Sequence, residues 1–320
     1  MNTNHWFLPL LLTLALLAGA VACGHSSNGN STTEVDDDAS PPAGLDDDQA
    51  PDDDDDASPG GPLALSAMSF NIAFSFPKSD LDAWDVRAPW EGETINYHHC
   101  DLVGLQEPLW WQVADLHHYS PGYDDWHIWD PDATEFYLDG QFDLLDKGMF
   151  WLSPTPDWLF DGWGNVMPRL VVWTKLRDHA SGREFFWANT HYDSTSPFQE
   201  KASPFLLTQV EELAGGLPIV VTGDFNSTPS DTAYRILTQG AEPGGFHLTD
   251  SYAIAAQRDV RQSDGDTRTW DPAQDIDHIF VANGAWTCSY WVVDMTQYGD
   301  PPRDPSDHFA IAANIELGSD

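Results

Sequence analysis

The chain has 320 residues and a formal net charge of −39, from 52 acidic and 13 basic residues. Of the acidic residues, 12 lie in residues 24–63, and the other 40 leave residues 64–320 with a net charge near −27. A surface this negative repels polyanions, so it counts against long nucleic acids as natural partners. It does not exclude a metal site.

The first 22 residues have the architecture of a signal peptide. An apolar run from Trp6 to Ala22 ends at Cys23 and is short for a transmembrane helix. The cleavage region fits either a lipobox, with Cys23 as the lipidated first residue, or ordinary cleavage after small residues. The abrupt change to polar residues at Cys23 favours the lipoprotein. We therefore expect an exported protein, anchored in the cell envelope or periplasm by lipid on Cys23, or secreted if Cys23 is not lipidated.

Residues 23–63 are predicted to form an acidic, disordered tether. They carry 12 acids and no base, interspersed with Pro, Gly and Ser, so they cannot bury a core and they repel one another. The rest, residues 64–320, is long enough for one large domain, which we expect to be monomeric. Its two cysteines, Cys100 and Cys288, either pair or remain as buried thiols.

The first elements of this domain end in polar side chains. Residues 63–72 alternate as a strand and deliver Asn71 near its end. Residues 85–99 are predicted to be helical, and residues 101–108 form a second buried strand that ends at Glu107. An unpaired carboxylate at such a strand end is costly to desolvate, and a metal ion or another cation would offset that cost.

The middle of the domain repeats this pattern. Residues 110–145 carry only weak periodicity, whereas residues 148–153 and 169–176 are predicted strands. Arg169, where the latter strand begins, suits a surface ion pair or a bidentate phosphate clamp. The strand predicted over residues 184–193 ends in His191 and Asp193. A helix is then predicted from Ser203 and Pro204 to the glycines at 215 and 216.

The central strand of the domain is predicted over residues 218–222. Residues 219–222 are all β-branched, and Asp224 and Asn226 follow the end of this run. Residues two apart in a strand point to the same side, so both side chains are expected at one rim. A strand cap followed by a turn is the alternative for this stretch alone. The repetition of polar strand ends favours a hydrolytic site.

Two strands near the end of the chain begin, rather than end, with polar groups. They are predicted over residues 275–281 and 306–312. Asp277 lies between Ile276 and Ile279, so it is expected to be buried and to need a partner. An imidazole would serve, and His308 is the candidate.

Six motifs together resemble the endonuclease/exonuclease/phosphatase superfamily, and two further runs are similar to a bacterial secreted branch of it. The six are Ser69-Phe70-Asn71-Ile72, Gly104-Leu105-Gln106-Glu107, Asn189-Thr190-His191, Gly223-Asp224-Phe225-Asn226, Ile276-Asp277-His278 and Ser306-Asp307-His308. The resemblance implies an α/β (α+β) domain with the DNase-I-like fold, a four-layer α/β/β/α sandwich with two mixed β-sheets. It also implies phosphoester hydrolysis with one hard cation, Mg²⁺ or alternatively Mn²⁺ or Ca²⁺.

The resemblance also implies roles for individual residues. Glu107 would be the principal metal ligand, with Asn71 and Asp307 near the same ion. Asp224 would orient or deprotonate the attacking water, and His308, oriented by Asp277, would be the acid/base imidazole. The choice of general base between Asp224 and His308 stays open. Contacts to the substrate phosphate would come from Arg169, His191 and Asn226.

Departures from the family pattern concern the substrate more than the chemistry. Some relatives carry an acid where this chain has Ala73, and a His where it has Trp270. The chain is rich in tryptophan, with six in or near predicted loops: Trp110, Trp111, Trp126, Trp129, Trp163 and Trp270. Most would serve the core, but a few at the rim would suit a sugar, a base or a choline-like cation.

We therefore expect a small or weakly charged phosphoester as the substrate. Candidates are a phospholipid headgroup, a sugar phosphate and a nucleotide. The alternatives are a nonspecific extracellular nuclease, for which salt and divalent ions screen the charge, and a non-catalytic surface binding protein on the same fold. The polar constellation favours an enzyme over a binding protein.

Overall fold

The structure is a computed structural model that describes residues 61–74, 82–128, 132–157, 163, 165 and 167–319. Two mixed β-sheets dominate it. The strands of the first are β1 (Leu63–Asn71), β2 (Leu102–Gln106), β3 (Tyr123–Trp126), β4 (Ala133–Leu138), β10 (Arg258–Gln262), β12 (Trp286–Met295) and β13 (Ala310–Leu317). Their order across the sheet is β10-β12-β13-β1-β2-β4-β3.

The second sheet has six strands. They are β5 (Phe142–Trp151), β6 (Leu170–Asp178), β7 (Glu184–His191), β8 (Ile219–Asp224), β9 (Thr249–Asp250) and β11 (Asp277–Ala282), in the order β5-β6-β7-β8-β11-β9. Five α-helices accompany the sheets in the described residues: α1 (Trp84–His98), α2 (Trp110–Tyr119), α3 (Phe198–Ala214), α4 (Thr232–Gln239) and α5 (Ser251–Ile254).

Three buried clusters define four layers, as predicted. The central cluster joins apolar side chains of the two sheets, among them Leu65 of β1 and Trp187 of β7. A second cluster packs α1 and α2 on the first sheet through residues such as Ile95 and Phe70. The third packs α3 and α4 on the second sheet. Each sheet therefore has a helix-facing side and a side that faces the other sheet.

Most predicted elements are present, with three differences. The helix predicted from Ser203 instead begins at Phe198, because Phe198 is buried against the rings of Trp163 and Tyr192. The weakly periodic residues 110–145 hold α2, β3, β4 and the first part of β5. The last strand begins at Ala310 rather than at residue 306, so Asp307 and His308 lie in the loop before it.

The sheets approach each other closely at Gly104 of β2. A Cβ atom there would lie 2.2 Å from Thr222 Oγ1 and 2.5 Å from Asn189 Oδ1, so only glycine fits. Beside it, Gln106 Nε2 donates a hydrogen bond to Asn189 Oδ1 at 2.7 Å. Asn189 Nδ2 in turn donates to the backbone carbonyls of Leu105 and Thr134. This buried amide pair ties the sheets together directly beneath the polar strand ends.

Cys100 and Cys288 are both free and buried, so the prediction left open for them is decided in favour of thiols. No helix of the described residues is long and apolar enough to cross a membrane. The predicted signal peptide, Cys23, the tether through residue 60 and Trp129 lie outside the described residues.

One carboxyl group in the core has no compensating partner. Glu135 on β4 is fully buried, and neither of its carboxyl oxygens has a hydrogen-bond partner among the described residues. Thr174 of β6 is close, but its hydroxyl is equally unpartnered. Desolvation by burial raises the pKa of Glu135 well above its ordinary value of 4.5. Burial therefore favours the neutral form of this group in the folded protein.

We expect Glu135→Gln to stabilise the protein increasingly as the pH rises. Because the pKa is raised on folding, the ionisation of Glu135 costs no stability below about pH 4.5, and stability is lost as pH rises from there towards the folded pKa. Each pH unit in that window costs about 1.4 kcal/mol, and 1 kcal/mol shifts Tm by about 2–4 °C for a domain of this size. Thermal melts between about pH 5 and pH 8 measure the difference from wild type, with Glu212→Gln on the exposed surface as control. A Tm difference that does not change with pH would contradict this account.

Candidate active site

Polar side chains collect at one end of the layer between the two sheets. Along β1, Leu65 and Ala67 belong to the central cluster, so Asn71, an even number of residues further on, lies on the same face. The same reasoning puts Asp224 on the face of Val220 in β8, and Asp277 on the face of Ile279 in β11. Each strand thus changes from apolar to polar at the end that reaches this site.

Strand direction explains why these ends meet. β1 and β2 run parallel, as do β7 and β8, so their carboxyl ends share one edge of each sheet. β11 runs antiparallel to β8, and its first residue, Asp277, is paired with Asp224. β13 runs antiparallel to β1, so the loop before it returns to the same edge, where Ser306 Oγ donates to the Asn71 carbonyl at 2.6 Å. The predicted strand-end residues are therefore brought together.

Asp224 lies at the centre of the site. It is 1% exposed. Its Oδ2 accepts a hydrogen bond from Asn71 Nδ2 at 3.1 Å, and it lies 3.3 Å from His191 Nε2 and 3.7 Å from His308 Nε2. Four strands and one loop therefore converge on a single carboxylate oxygen and its neighbours.

Asp277 and His308 form the pair predicted from the sequence. His308 Nδ1 and Asp277 Oδ2 are 2.8 Å apart, which leaves His308 Nε2 facing Asp224. Burial lowers the pKa of His308, but the carboxylates of Asp277, Asp224 and Asp307 outweigh it and raise the pKa to about 10. His308 is thus held as an imidazolium whose free N–H points into the site.

His191 has two side-chain partners that the sequence did not predict, Asp132 and Arg169. Its Nδ1 lies 3.2 Å from Asp132 Oδ1 and 2.8 Å from Arg169 Nη1. Arg169 Nη1 also lies 2.7 and 2.8 Å from the two Asp132 oxygens. One guanidinium nitrogen, Nη1, is therefore engaged by Asp132 and His191, whereas Nε has no hydrogen-bond partner among the described residues, so the phosphate contact expected of Arg169 stays a prediction. Burial lowers the pKa of His191, but the Asp132 carboxylate outweighs it and the pKa is raised.

The predicted metal ligands differ in what they offer. Glu107 is half-buried, and no cationic side chain among the described residues forms an ion pair with it. Its Oε2 accepts from the Phe74 N–H at 3.0 Å, and its Oε1 from Asn71 Nδ2 at 3.4 Å. Asn71 uses its oxygen to accept from the Ala73 N–H. Asn71 therefore acts as a donor between two carboxylates, and the ligand role expected for it stays a prediction.

Asp307 lies on the exposed side of the site. It lines a cavity of about 360 Å³ together with Ala73, Phe74 and Ser306, and its charge contributes to the raised pKa of His308. A different group of side chains could also hold a metal ion: ligand atoms of Asp224, Asp277 and His308 lie within 4.8 Å of one another. Since Asp277 and His308 are already joined by a hydrogen bond, Glu107 is the carboxylate better suited to a cation.

The chain turns sharply as it leaves the strands. Ala73, Glu107 and Asn226 all have positive φ, at 55°, 63° and 46°, a conformation that non-glycine residues adopt rarely and mostly where function requires it. The turn takes Asn226 off the face shared with Asp224. Asn226 Nδ2 donates to the Tyr192 carbonyl at 2.8 Å, and its backbone N–H to Asp224 Oδ1 at 2.9 Å. Asn226 thus orients Asp224, and one amide hydrogen remains for a ligand.

Arg87 of α1 fixes the loops that carry these residues, and nothing in the sequence marked it. It is 5% exposed. Its Nη1 donates to the carbonyls of Ile72 and Pro305, each at 2.8 Å, and pairs with Glu91 at 2.5 Å. One side chain thereby holds the loop after Asn71 against the loop before His308.

Comparisons with known proteins agree with this fold. The sequence profile described as the Endonuclease/Exonuclease/phosphatase family matches residues 68–308. A search of curated proteins finds no match. A family protein from Bacteroides thetaiotaomicron, described by that family name, is 28% identical, with a TM-score of 0.71 over 80% of this chain and 98% of its own. A mannosyl-6-phosphatase of the same organism is 28% identical, with a TM-score of 0.70 over 78% and 99%. The human nocturnin catalytic domain shares the fold at 18% identity, with a TM-score of 0.57 over 79% and 94%.

Proposed function

This chain belongs to the endonuclease/exonuclease/phosphatase family, which places it among the hydrolases of phosphoesters, and we propose that it is a divalent-metal-dependent phosphoesterase for small substrates. The observation that carries the proposal is the convergence on Asp224. Asn71, His191 and His308 surround its Oδ2 atom, and Glu107 stands beside Asn71. This arrangement has a base, two imidazoles and a carboxylate without a counter-cation in one place.

The donor set at Glu107 fits a hard cation. Glu107 and Asp307 offer carboxylate oxygens, the atoms that Mg²⁺ prefers. The carboxylate of Glu107 lies at the partly exposed mouth of the site and has no ion pair among the described residues, which leaves it free to hold a cation. A bound Mg²⁺ or Mn²⁺ would supply Lewis-acid stabilisation of the phosphoryl oxygens. We place one ion there, with Asn71 positioning Glu107 rather than binding the ion.

The side chains of the site would then activate the water, protonate the leaving oxygen and stabilise the phosphoryl charge. Asp224, buried and acceptor-only, orients the attacking water and takes its proton. His308 donates from Nε2 to the oxygen that leaves phosphorus, because its Nδ1 is held by Asp277. His191, fixed by Asp132, directs Nε2 to the same centre and stabilises charge that develops on the phosphoryl oxygens. These roles make Asp224 the general base and His308 the acid.

The choice of a small substrate has three supports. The net charge near −27 of residues 64–320 opposes association with DNA or RNA. The mannosyl-6-phosphatase at 28% identity acts on a sugar phosphate by its name. Trp110 and Trp111 of α2 begin three residues after Glu107 and are 61% and 37% exposed. Exposed indole rings this close in the chain to the proposed metal ligand suit the face of a sugar ring.

The other described tryptophans that were predicted near the substrate pack against neighbouring side chains. Trp163 packs on Phe198 and Phe205, and Trp126 is covered by the ammonium of Lys147, 4.2 Å from the ring centroid. Trp270 stacks on Trp291 with centroids 5.0 Å apart. Among the described tryptophans of this set, the pair at the start of α2 is therefore the one proposed to contact a sugar.

A substrate panel tests this function. The kcat/KM of the purified protein is measured at moderate salt with Mg²⁺ for mannose 6-phosphate, bis-p-nitrophenyl phosphate, sphingomyelin, plasmid DNA and RNA. We expect a small phosphoester to exceed both nucleic acids, and its advantage to persist as salt is raised. Plasmid cleavage that outpaces every small substrate would instead identify a nuclease.

We also propose that the protein is exported and held on a membrane through lipid on Cys23, with the residues between Cys23 and the start of β1 as an extended spacer. Metabolic labelling with a radioactive fatty acid, compared between the wild type and Cys23→Ser, tests this. Equal labelling of the two proteins would contradict the anchor.

A further inference from the structure

A second cavity lies behind the catalytic pair. It has a volume of about 250 Å³ and reaches from the loop before β11 to the inner face of the first sheet. One water occupies about 30 Å³ in the liquid, so the cavity is large enough for an organic group. Asp277 lines it, but His308, which Asp277 Oδ2 contacts on the other side, does not.

The walls of this cavity combine aromatic rings with carboxylates. The rings come from α4, α5, the loop before β11, and β12, and they are Tyr234, Tyr252, Trp270 and Trp291. The carboxylates are those of Asp250, Asp275 and Asp277. The imidazole of His278 also lines the cavity, but it is paired with Asp250. Aromatic faces attract cations through their quadrupole, so the rings and the two other carboxylates favour the same sign of charge.

Two of the three carboxylates have oxygens that are not committed elsewhere. Asp250 is satisfied by His278, 3.2 Å away, by the Tyr234 hydroxyl and by the Tyr252 N–H. Asp277 Oδ1, by contrast, is buried and has no hydrogen-bond partner among the described residues. Asp275 accepts one hydrogen bond, from the Asp277 N–H, and forms no ion pair with any described residue.

A bare metal ion suits this cavity less well than an organic cation. Within the described residues, the set of three ligand atoms within 4.8 Å of one another includes neither Asp250 nor Asp275. The cavity is also wider than an ion with its ligands requires, and four rings line it. We propose that this cavity binds an organic ammonium group, held by the free oxygens of Asp275 and Asp277 and by the faces of Trp270 and its neighbouring rings.

Calorimetric titration of the purified protein with choline tests the proposal directly. The control ligand is 3,3-dimethylbutan-1-ol, the neutral isostere of choline, which has the same shape without the charge. Burial raises the pKa of Asp275 to about 7, so the titration is run at about pH 8, where this carboxyl is ionised. We expect choline to bind at least about tenfold more tightly than the isostere. Equal affinities, or no choline binding at millimolar concentration, would overturn the proposal.

Variants then locate the binding. Asp275→Asn and Trp270→Leu are each expected to weaken choline binding by about fivefold or more, while Asp264→Asn, an exposed aspartate outside the cavity, should leave it unchanged. Trp270→Phe keeps an aromatic face and should retain most of the affinity. Unchanged binding in Asp275→Asn and Trp270→Leu would place choline elsewhere and overturn the proposal, as would displacement of choline by equimolar KCl or MgCl₂.

The ammonium group could belong to the substrate or to a separate ligand. Inhibition by choline of bis-p-nitrophenyl phosphate hydrolysis distinguishes them: a competitive pattern identifies a substrate group, and a noncompetitive pattern a separate ligand. The binding comparison needs no turnover, so it remains decisive even if the proposed hydrolysis fails.

Discussion

Replacing Asp224 with asparagine is expected to lower kcat by about 10³-fold or more on the best small phosphoester. The substitution removes the carboxylate that accepts the proton from water. Its amide N–H₂ also faces a donor in either orientation, because one carboxylate oxygen now lies against Asn71 Nδ2 and His191 Nε2 and the other against the Asn226 N–H. KM should change far less than kcat, because Asp224 is proposed to act in the transition state.

The matched control is Asp178→Asn. Asp178 is buried to a similar degree, at 3% exposed, and accepts hydrogen bonds from the N–H and hydroxyl of Ser181 in the turn after β6. It lies at the end of β6 opposite to Leu170, away from the site. We expect it to keep kcat within about twofold of wild type. An Asp224→Asn protein that melts like the wild type and retains more than about a tenth of its kcat would contradict the proposed role.

The second large effect concerns the metal. Glu107→Gln removes the charge of the proposed ligand but keeps its size and an oxygen for the Phe74 N–H. We expect the Mg²⁺ concentration for half-maximal activity to rise at least about tenfold, since loss of even a supporting group costs about 10–100-fold in metal affinity. Excess Mg²⁺ should restore part of the rate.

Asp277→Asn separates metal binding from proton transfer. It removes the anion that holds His308 Nδ1, so kcat should fall substantially while the half-maximal Mg²⁺ concentration stays within about twofold of wild type. The opposite pattern would be a shifted Mg²⁺ requirement in Asp277→Asn and an unchanged one in Glu107→Gln. It would indicate that the ion is bound by Asp224, Asp277 and His308 instead.

The strand-end residues could be predicted because two local rules suffice for them. A β-branched run such as residues 219–222 indicates a buried strand, and the first polar residue after it reaches the rim. The order of parallel and antiparallel strands then brings Asn71, His191, Asp224 and Asp277 together. Burial predicted that Asp277 needs a partner, since a buried carboxylate needs a donor, and the imidazole of His308 was the candidate for it.

Rules of this kind fail where the chain leaves the strand. Asn226 is two residues beyond Asp224, but a positive φ of 46° turns it to the Tyr192 carbonyl, and the two-residue period ends with the strand. Ser203 and Pro204 carry the local signature of a helix start. Burial of Phe198 extends the helix back by five residues, because tertiary packing outweighs a local preference.

Asp132, Arg169 and Arg87 act through partners that no local pattern reveals. Asp132 is 59 positions from His191 and 37 from Arg169, in a stretch of weak periodicity. An arginine at the start of a strand is compatible with a surface pair, a phosphate clamp or this buried pair. Arg87 contacts backbone carbonyls. Every residue has a carbonyl, so the sequence does not show which of them a side chain contacts.

Hydrolysis by metal-stripped protein tests the central claim most directly. The purified protein is treated with a chelator and assayed with mannose 6-phosphate and bis-p-nitrophenyl phosphate while Mg²⁺ or Mn²⁺ is titrated back, with Asp224→Asn assayed in parallel. The account predicts no turnover without metal, saturable recovery on its return, and no recovery in Asp224→Asn. Turnover that is independent of metal, or equal in Asp224→Asn, would contradict it.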